Sequence, residues 1–152
     1  MFEPNANLTR AMVATVLHRM AGEPKATSTS SFTDISSGLW YSAAVEWASE
    51  VGIVVGYEDN TFRPNQMITR QEMAVMLARY ATKVCGIEID SKGTLNVYPD
   101  GSQVADWAYE EMVWFVNVGI IRGMDGKIEP NSLATRAQFA TIIMRFIQEY
   151  SL

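Results

Sequence analysis

The stretch MITRQEMAVMLARY, Met67 to Tyr80, decides the reading of this chain. Thr69 with Glu72 three residues later spells T-x-x-E, the capping box that opens a helix. Met73, Met76, Leu77 and Tyr80 then fall at i, i+3, i+4 and i+7, one apolar face of a 3.6-residue period. Arg70 sits badly in this pattern. A helix N-terminus carries partial positive charge and favours Asp or Glu in its first turn. The same Thr-Arg pair nevertheless returns in LTRAM (Leu8 to Met12) and in ATRAQ (Ala134 to Gln138).

Around those pairs three segments align: FEPNANLTRAMVATVLHRMAG (Phe2 to Gly22), FRPNQMITRQEMAVMLARYAT (Phe62 to Thr82) and IEPNSLATRAQFATIIMRFIQ (Ile128 to Gln148). Thr9, Thr69 and Thr135 lie 60 and 66 residues apart. A second pair of matched segments precedes the later copies. FTDISSGLWYSAAVEWASEVGIVVG (Phe32 to Gly56) corresponds to YPDGSQVADWAYEEMVWFVNVGIIRG (Tyr98 to Gly123). Trp40 pairs with Trp107, Trp47 with Trp114, Gly52 with Gly119 and Gly56 with Gly123. One unit is therefore an aromatic-x-Asp opening, a Trp-led helix, a Gly-Ile turn, a loop, an x-x-Pro-Asn turn and a Thr-Arg helix. The chain holds two full units and the back half of one: 1–22, 32–82 and 98–150, with connections at 23–31 and 83–97.

The apolar stripes share one phase: Val13, Val16, Leu17, Met20; Met73, Met76, Leu77, Tyr80; Phe139, Ile142, Ile143, Phe146. No such stripe buries itself alone, so mutual packing into a central helical bundle is the simplest arrangement. Gly52 and Gly119 suit the left-handed position that ends a helix. Short strands are allowed around the Gly-Ile segments, and the class is mainly α. Without the front half of the first unit, Val13, Val16, Leu17 and Met20 are expected to lie exposed unless the missing half-repeat of a parent chain, or another copy, covers them.

Bulk composition excludes several functions. Across 152 residues the net charge is −5, against the basic face that a non-specific nucleic-acid binder needs. No apolar run approaches the roughly 20 residues of a membrane-spanning helix. Met1 leads directly into FEPN, without the basic and apolar regions of a secretory leader. A single cysteine, Cys85, rules out an intrachain disulfide framework and reads as a small packed hydrophobe. No catalytic residue, metal or cofactor is expected. His18, the only histidine, lies inside a helix, and Cys85 has no histidine near it in sequence. The loops GYEDNTF (Gly56 to Phe62) and GMDGKI (Gly123 to Ile128) lack the fixed oxygen ligands and closing Glu of a calcium-binding hand.

The ordered set of motifs resembles the S-layer homology (SLH) repeat of bacterial surface proteins. The second unit matches best, with FTD, Trp40, GIVVG, FRPN and ITRQE; the third keeps YPD, Trp107, GIIRG, IEPN and ATRAQ; the first contributes FEPN and LTRAM. The resemblance implies three helix-loop-helix repeats, the first half missing, around a pseudo-threefold axis with ligand grooves between neighbours. It implies a non-catalytic, extracellular module that attaches a surface or S-layer protein to the cell wall. The implied partner is secondary cell wall polysaccharide, frequently pyruvylated and hence anionic.

Two readings of the arginines stay open. In one, Thr and Glu form a structural cap, the arginine is a surface or ion-pair residue, and the module assembles with protein partners. In the other, free N–H groups at the helix start and the guanidinium hold one anion together. Arg70 leads this second reading, followed by Arg136 and Arg10, with Thr69 beside them. Trp40 and Trp107 offer either core packing or an apolar face for a sugar. Gly56 and Gly123 permit tight turns and close approach of a ligand to the backbone. The second arginine of each helix, Arg19, Arg79 and Arg145, reads as structural, paired with carboxylates such as Asp34 and Asp100. Met12 and Gln138 replace the expected Glu, which puts the sites at those copies in doubt.

Overall fold

The capping threonines build the helices they promise. A computed structural model describes residues 3–29 and 32–152. Its helices are α1 (Arg10–Met20), α2 (Ser42–Glu50), α3 (Arg70–Lys83), α4 (Tyr109–Asn117) and α5 (Arg136–Tyr150). Short 3-10 turns at Gly101–Gln103 and Asp106–Ala108 precede α4. The fold is mainly α, and among the described residues pairing between extended segments is limited to isolated bridges.

Thr9, Thr69 and Thr135 each accept the N–H of the third helical residue on Oγ1, at 3.2, 3.3 and 3.1 Å. In α5 the box is closed, since Gln138 Oε1 accepts the Thr135 N–H at 3.1 Å. Gln138 therefore replaces Glu without loss of the cap. The Gly-Ile segments are not strands. Gly52 N–H returns to Ser49 O and Ile53 N–H to Ala48 O; Gly119 N–H returns to Val116 O and Ile120 N–H to Phe115 O. That is the Schellman closure, which needs the left-handed glycines at φ +85° and +78°. With their N–H groups turned back onto the helix, Ile53 and Ile120 have none left for a ladder.

The residues group into two compact units. The first gathers Met1–Leu8, Ile68–Val75 and Ile89–Leu152; the second gathers Thr9–Met67 and Met76–Glu88. In the second unit α1 packs on α2, with the His18 and Trp47 rings 5.3 Å apart, and Phe32 stacks on Phe62. This corrects the expected exposed stripe: Val13 and Leu17 are fully buried, and Val16 and Met20 half-buried. The next unit's Trp-led helix supplies the cover. His18 is buried here, its Nε2 donating to Pro24 O at 2.9 Å, so it is a packing residue. Cys85 is half-buried, and burial, then this neighbouring cysteine, push the Tyr80 phenol up to about 12.

The core of the first unit is built on Trp114, Phe115, Met112 and Ile120 from α4 and its turn, and on Phe139, Ile142 and Phe146 from α5. The long connection after α3 is anchored by the buried Leu95, whose N–H donates to the Tyr109 hydroxyl at 3.3 Å. At the threshold of the Thr-Arg helices, three equivalent residues close a ring. Leu8 N–H donates to Ala134 O, Ala134 N–H to Ile68 O and Ile68 N–H to Leu8 O, each at 2.9 Å.

Candidate anion-binding site

A helix start can take an anion only if its N–H groups are free. In α3 they are not. Arg70 N–H donates to Ser132 O at 2.9 Å and Gln71 N–H to Pro130 O at 3.1 Å; Thr69 takes the next two, on Oγ1 and on its own carbonyl. In α5 the Arg136 and Ala137 N–H groups go to Ala6 O and Pro4 O, and in α1 those of Arg10 and Ala11 go to Gln66 O and Pro64 O. The x-x-Pro-Asn turn is thus the partner of the helix start. The expected anion at the N–H groups is corrected, and any anion must be held by side chains.

Those turns are themselves held by the aromatic-x-Asp openings. Asp34 accepts the N–H groups of Phe62 and Arg63 at 2.8 and 2.7 Å; Asp100 accepts those of Ile128 and Glu129 at 3.0 and 2.8 Å. Arg63 and Glu129 sit at φ +61° and +53°, a left-handed conformation that is costly for a residue with a Cβ and that the carboxylate helps to hold. Burial pushes the Asp100 carboxyl up, but the hydrogen bonds from Ile128 and Glu129 outweigh it and leave it below the ordinary carboxylate range. The expected pairing of Asp34 and Asp100 with the second arginines is therefore corrected. Arg79 Nη1 donates to Ile53 O at 3.2 Å and Arg145 Nη1 to Ile120 O at 3.3 Å, tying each helix to the Gly-Ile turn.

The first arginines have a matching structural bond. Arg10 Nε donates to Phe62 O at 2.8 Å and Arg70 Nε to Ile128 O at 3.0 Å. Arg10 also lies over the Tyr57 and Phe62 rings, 4.9 Å from each centroid. The Nε of Arg136 is buried and has no hydrogen-bond partner among the described residues. Arg70 is only 3% exposed. With its Nε on a carbonyl, Arg70 still borders an open space.

That space is a cavity of about 250 Å³ in the first unit. Arg70 comes to it from α3, Arg122, Gly123 and Met124 from the turn after α4, and Ala137, Gln138, Thr141, Ile142 and Arg145 from one face of α5. Three guanidinium groups line it, with no carboxylate. Arg145 shares it with Arg70 of the preceding copy rather than with Arg136 of its own helix. Burial disfavours the Arg70 cation, Glu129 and Asp100 offset this in part, and Arg145 adds repulsion. Arg145 is disfavoured by burial and then by Arg122. A convergent cationic pocket of this kind is relieved by an anion.

The remaining candidates divide. Thr69 is engaged as a cap. At Gly56 a Cβ would stand 2.3 Å from the Phe32 ring, and at Gly123 3.0 Å from the Tyr98 ring, so both glycines make room for the opening aromatic; Gly123 also lines the cavity. Trp47 and Trp114 are buried, whereas Trp40 and Trp107 are 63% and 55% exposed and take no part in the core. Replacing Trp107 by alanine is expected to change stability by less than about 0.5 kcal/mol in urea denaturation. The same variant should weaken sugar binding several-fold in titration if the ring is a platform.

Sequence reasoning missed Arg122 and the meeting of Arg145 with Arg70. The first had a signal: GIIRG carries arginine where GIVVG carries Val55. The second had none, because Arg70 and Arg145 meet through the fold.

The comparisons agree with this architecture. The family model described as the S-layer homology domain matches residues 31–74 and 97–140. Cell surface glycoprotein 1 of Acetivibrio thermocellus is 32% identical over 154 residues, covering 97% of this chain and 7% of that protein. Amylopullulanase of Thermoanaerobacterium thermosulfurigenes is 31% identical over 149 residues, 97% of this chain and 8% of the enzyme. The cellulosome-anchoring protein of Acetivibrio thermocellus is 30% identical over 157 residues, 97% of this chain and 34% of that protein. The chain therefore spans a minor part of each relative. Two family matches that each run from an aromatic-x-Asp opening into a Thr-Arg helix place it: the chain belongs to the S-layer homology domain family.

Proposed function

We propose that this chain is a non-catalytic module that holds a bacterial surface protein to the wall, outside the cell, by binding an anionic secondary cell wall polysaccharide. The observation that carries this is the cavity lined by Arg70, Arg122 and Arg145 with no carboxylate among its lining residues. A pyruvyl ketal on a sugar presents one carboxylate, which an arginine fork can grip in two places. Gly123 lines the cavity without a side chain, and Trp107, which is not among the lining residues, is exposed in the same unit as an apolar face for a sugar ring. The relatives support the same reading. A cell surface glycoprotein, an amylopullulanase and a cellulosome-anchoring protein share this segment while bearing different names. What they share is better explained by attachment than by one chemistry.

Calorimetric titration with purified pyruvylated wall polysaccharide, and with the same polymer stripped of its pyruvate, tests the proposal. Saturable binding that needs the pyruvate and weakens as salt rises is the expected result. A folded chain that binds neither polymer, yet self-associates in sedimentation, overturns it in favour of a protein assembly module.

A further inference from the structure

One face of α5 differs from its counterpart on α1. In α1 the row Ala14, Leu17 and His18 is buried, and α2 packs on that helix with Trp47 against His18. The same register on α5 reads Ala140, Ile143 and Met144, with Ile147 one step further. Here Ala140 is exposed, Met144 is 51% exposed, and Ile143 and Ile147 are half-buried. The row that α1 closes therefore stands open on α5, an apolar stripe on a helix surface.

The stripe suits a copy of itself. Its residues fall at i, i+3, i+4 and i+7, the spacing of a two-helix seam. The stripe is centred between Ile143 and Met144, and the helix Arg136–Tyr150 is centred on Ile143. Two α5 helices laid antiparallel about that point overlap along their whole length. The small Ala140 then faces the large Ile147 of the second copy, and Ile143 faces its Met144.

The ends of the helix argue for the same partner and the same direction. The first turn of α5 holds no acid and the last turn no base. Arg136, four residues before Ala140 and so on the same face, has no carboxylate partner among the described residues. A helix start disfavours a cation and a helix end favours one. In an antiparallel pair each Arg136 comes beside the last turn of the other α5, whose final carbonyls lack helical donors. The pair thus supplies a counterpart to each end that the single helix leaves uncompensated.

We propose that α5 is a self-association face, through which two copies of this chain pair by Ala140, Ile143, Met144 and Ile147 in an antiparallel, twofold-symmetric contact. One helix pair buries less than a standard interface, so the association is weak, with Kd on the order of 10–100 μM. None of the four residues lines the Arg70 cavity, so each copy keeps its own. On the reading of that cavity as an anion seat, a pair offers two seats to a repeating polymer and raises the effective concentration for the second contact.

Sedimentation velocity of the full chain without polymer, from about 5 μM to about 1 mM, tests the pairing. A monomer–dimer equilibrium is expected. Met144→Glu, a change at a side chain exposed in the single copy, should weaken it about tenfold or more, with the thermal midpoint of the dilute protein unchanged. For the register, Cys85→Ser removes the native thiol. In that background Met144→Cys should cross-link two copies on mild oxidation, and Ala140→Cys, further from the twofold axis, should not. A chain that stays monomeric throughout overturns the proposal and leaves the row to another partner, such as a further Trp-led helix. A dimer that survives Met144→Glu, or that cross-links through Ala140→Cys and not through Met144→Cys, overturns it as well. With no polymer present, the result reads the same whether or not the cavity binds an anion.

Discussion

Replacing Asp100 by alanine is expected to lower the stability of the chain by about 3 kcal/mol, roughly 6–12 °C in midpoint. The carboxylate is 6% exposed and receives the N–H groups of Ile128 and Glu129. Hydrogen bonds to a charged acceptor contribute about 1.5–3 kcal/mol each, and the variant also leaves the buried Ile128 N–H unpaired. The pH dependence has a definite sign. The folded carboxyl lies below its ordinary value, because the two N–H bonds outweigh burial. Its contribution is therefore full above the unfolded value near 3.9 and is lost as pH falls through the folded one. Urea denaturation at pH 7 and pH 3 checks this: the gap between parent and Asp100→Ala should be wide at pH 7 and narrow at pH 3. A variant as stable as the parent at pH 7 would mean that the turn is held by its proline and packing alone. Asp34→Ala removes the matching pair of bonds from a half-buried carboxylate in the other unit and should also lower stability at pH 7, by less than Asp100→Ala.

Arg70→Ala is expected to do two separable things. Losing the Nε bond to the buried Ile128 carbonyl should reduce stability by about 2 kcal/mol. Losing a lining guanidinium should weaken binding of the anionic wall polymer by about a hundredfold or more, the scale of one charge-assisted bidentate contact. Arg145→Gln provides the control. Its amide ends two bonds short of Nη1 and carries no charge, so affinity should drop, while stability should fall only by the single bond to Ile120 O, about 1 kcal/mol. Chemical denaturation and calorimetry on both variants separate the effects. Should Arg70→Ala bind normally once folded, the arginine would be a structural clasp alone, and the cavity would owe its function to Arg122 and Arg145.

Local chemistry was legible. T-x-x-E and T-x-x-Q announced the caps, the stripes on α3 and α5 marked faces that are largely buried, and Gly52 and Gly119 stand where α2 and α4 end. Trp47 and Trp114, paired in the alignment, are both buried. What stayed hidden was every partner far away in the chain. Arg70 bonds to a carbonyl 58 residues on, and Asp100 to N–H groups 28 and 29 residues on. Nothing in the spacing says that a proline carbonyl will occupy the helix N–H groups. Nor does it say that α2 will cover α1, which is why the missing half-unit pointed to an exposed stripe that the fold does not have. Arg122 was overlooked because a single arginine in a turn carries no period.

The ring of Leu8, Ile68 and Ala134 has a consequence for how the chain reaches its native state. Its members are 60 and 66 residues apart in sequence, and 126 apart across the closing pair. The N–H and the C=O of each of these residues serve two distant segments, so any two of them alone leave a donor and an acceptor unmet. The ring cannot grow repeat by repeat as a linear solenoid does. It closes only after long chain loops have been drawn in, an entropic toll of the kind that slows topologies dominated by distant contacts. The helix caps are local, but the ring that joins their thresholds is complete only once segments from both ends of the chain have met.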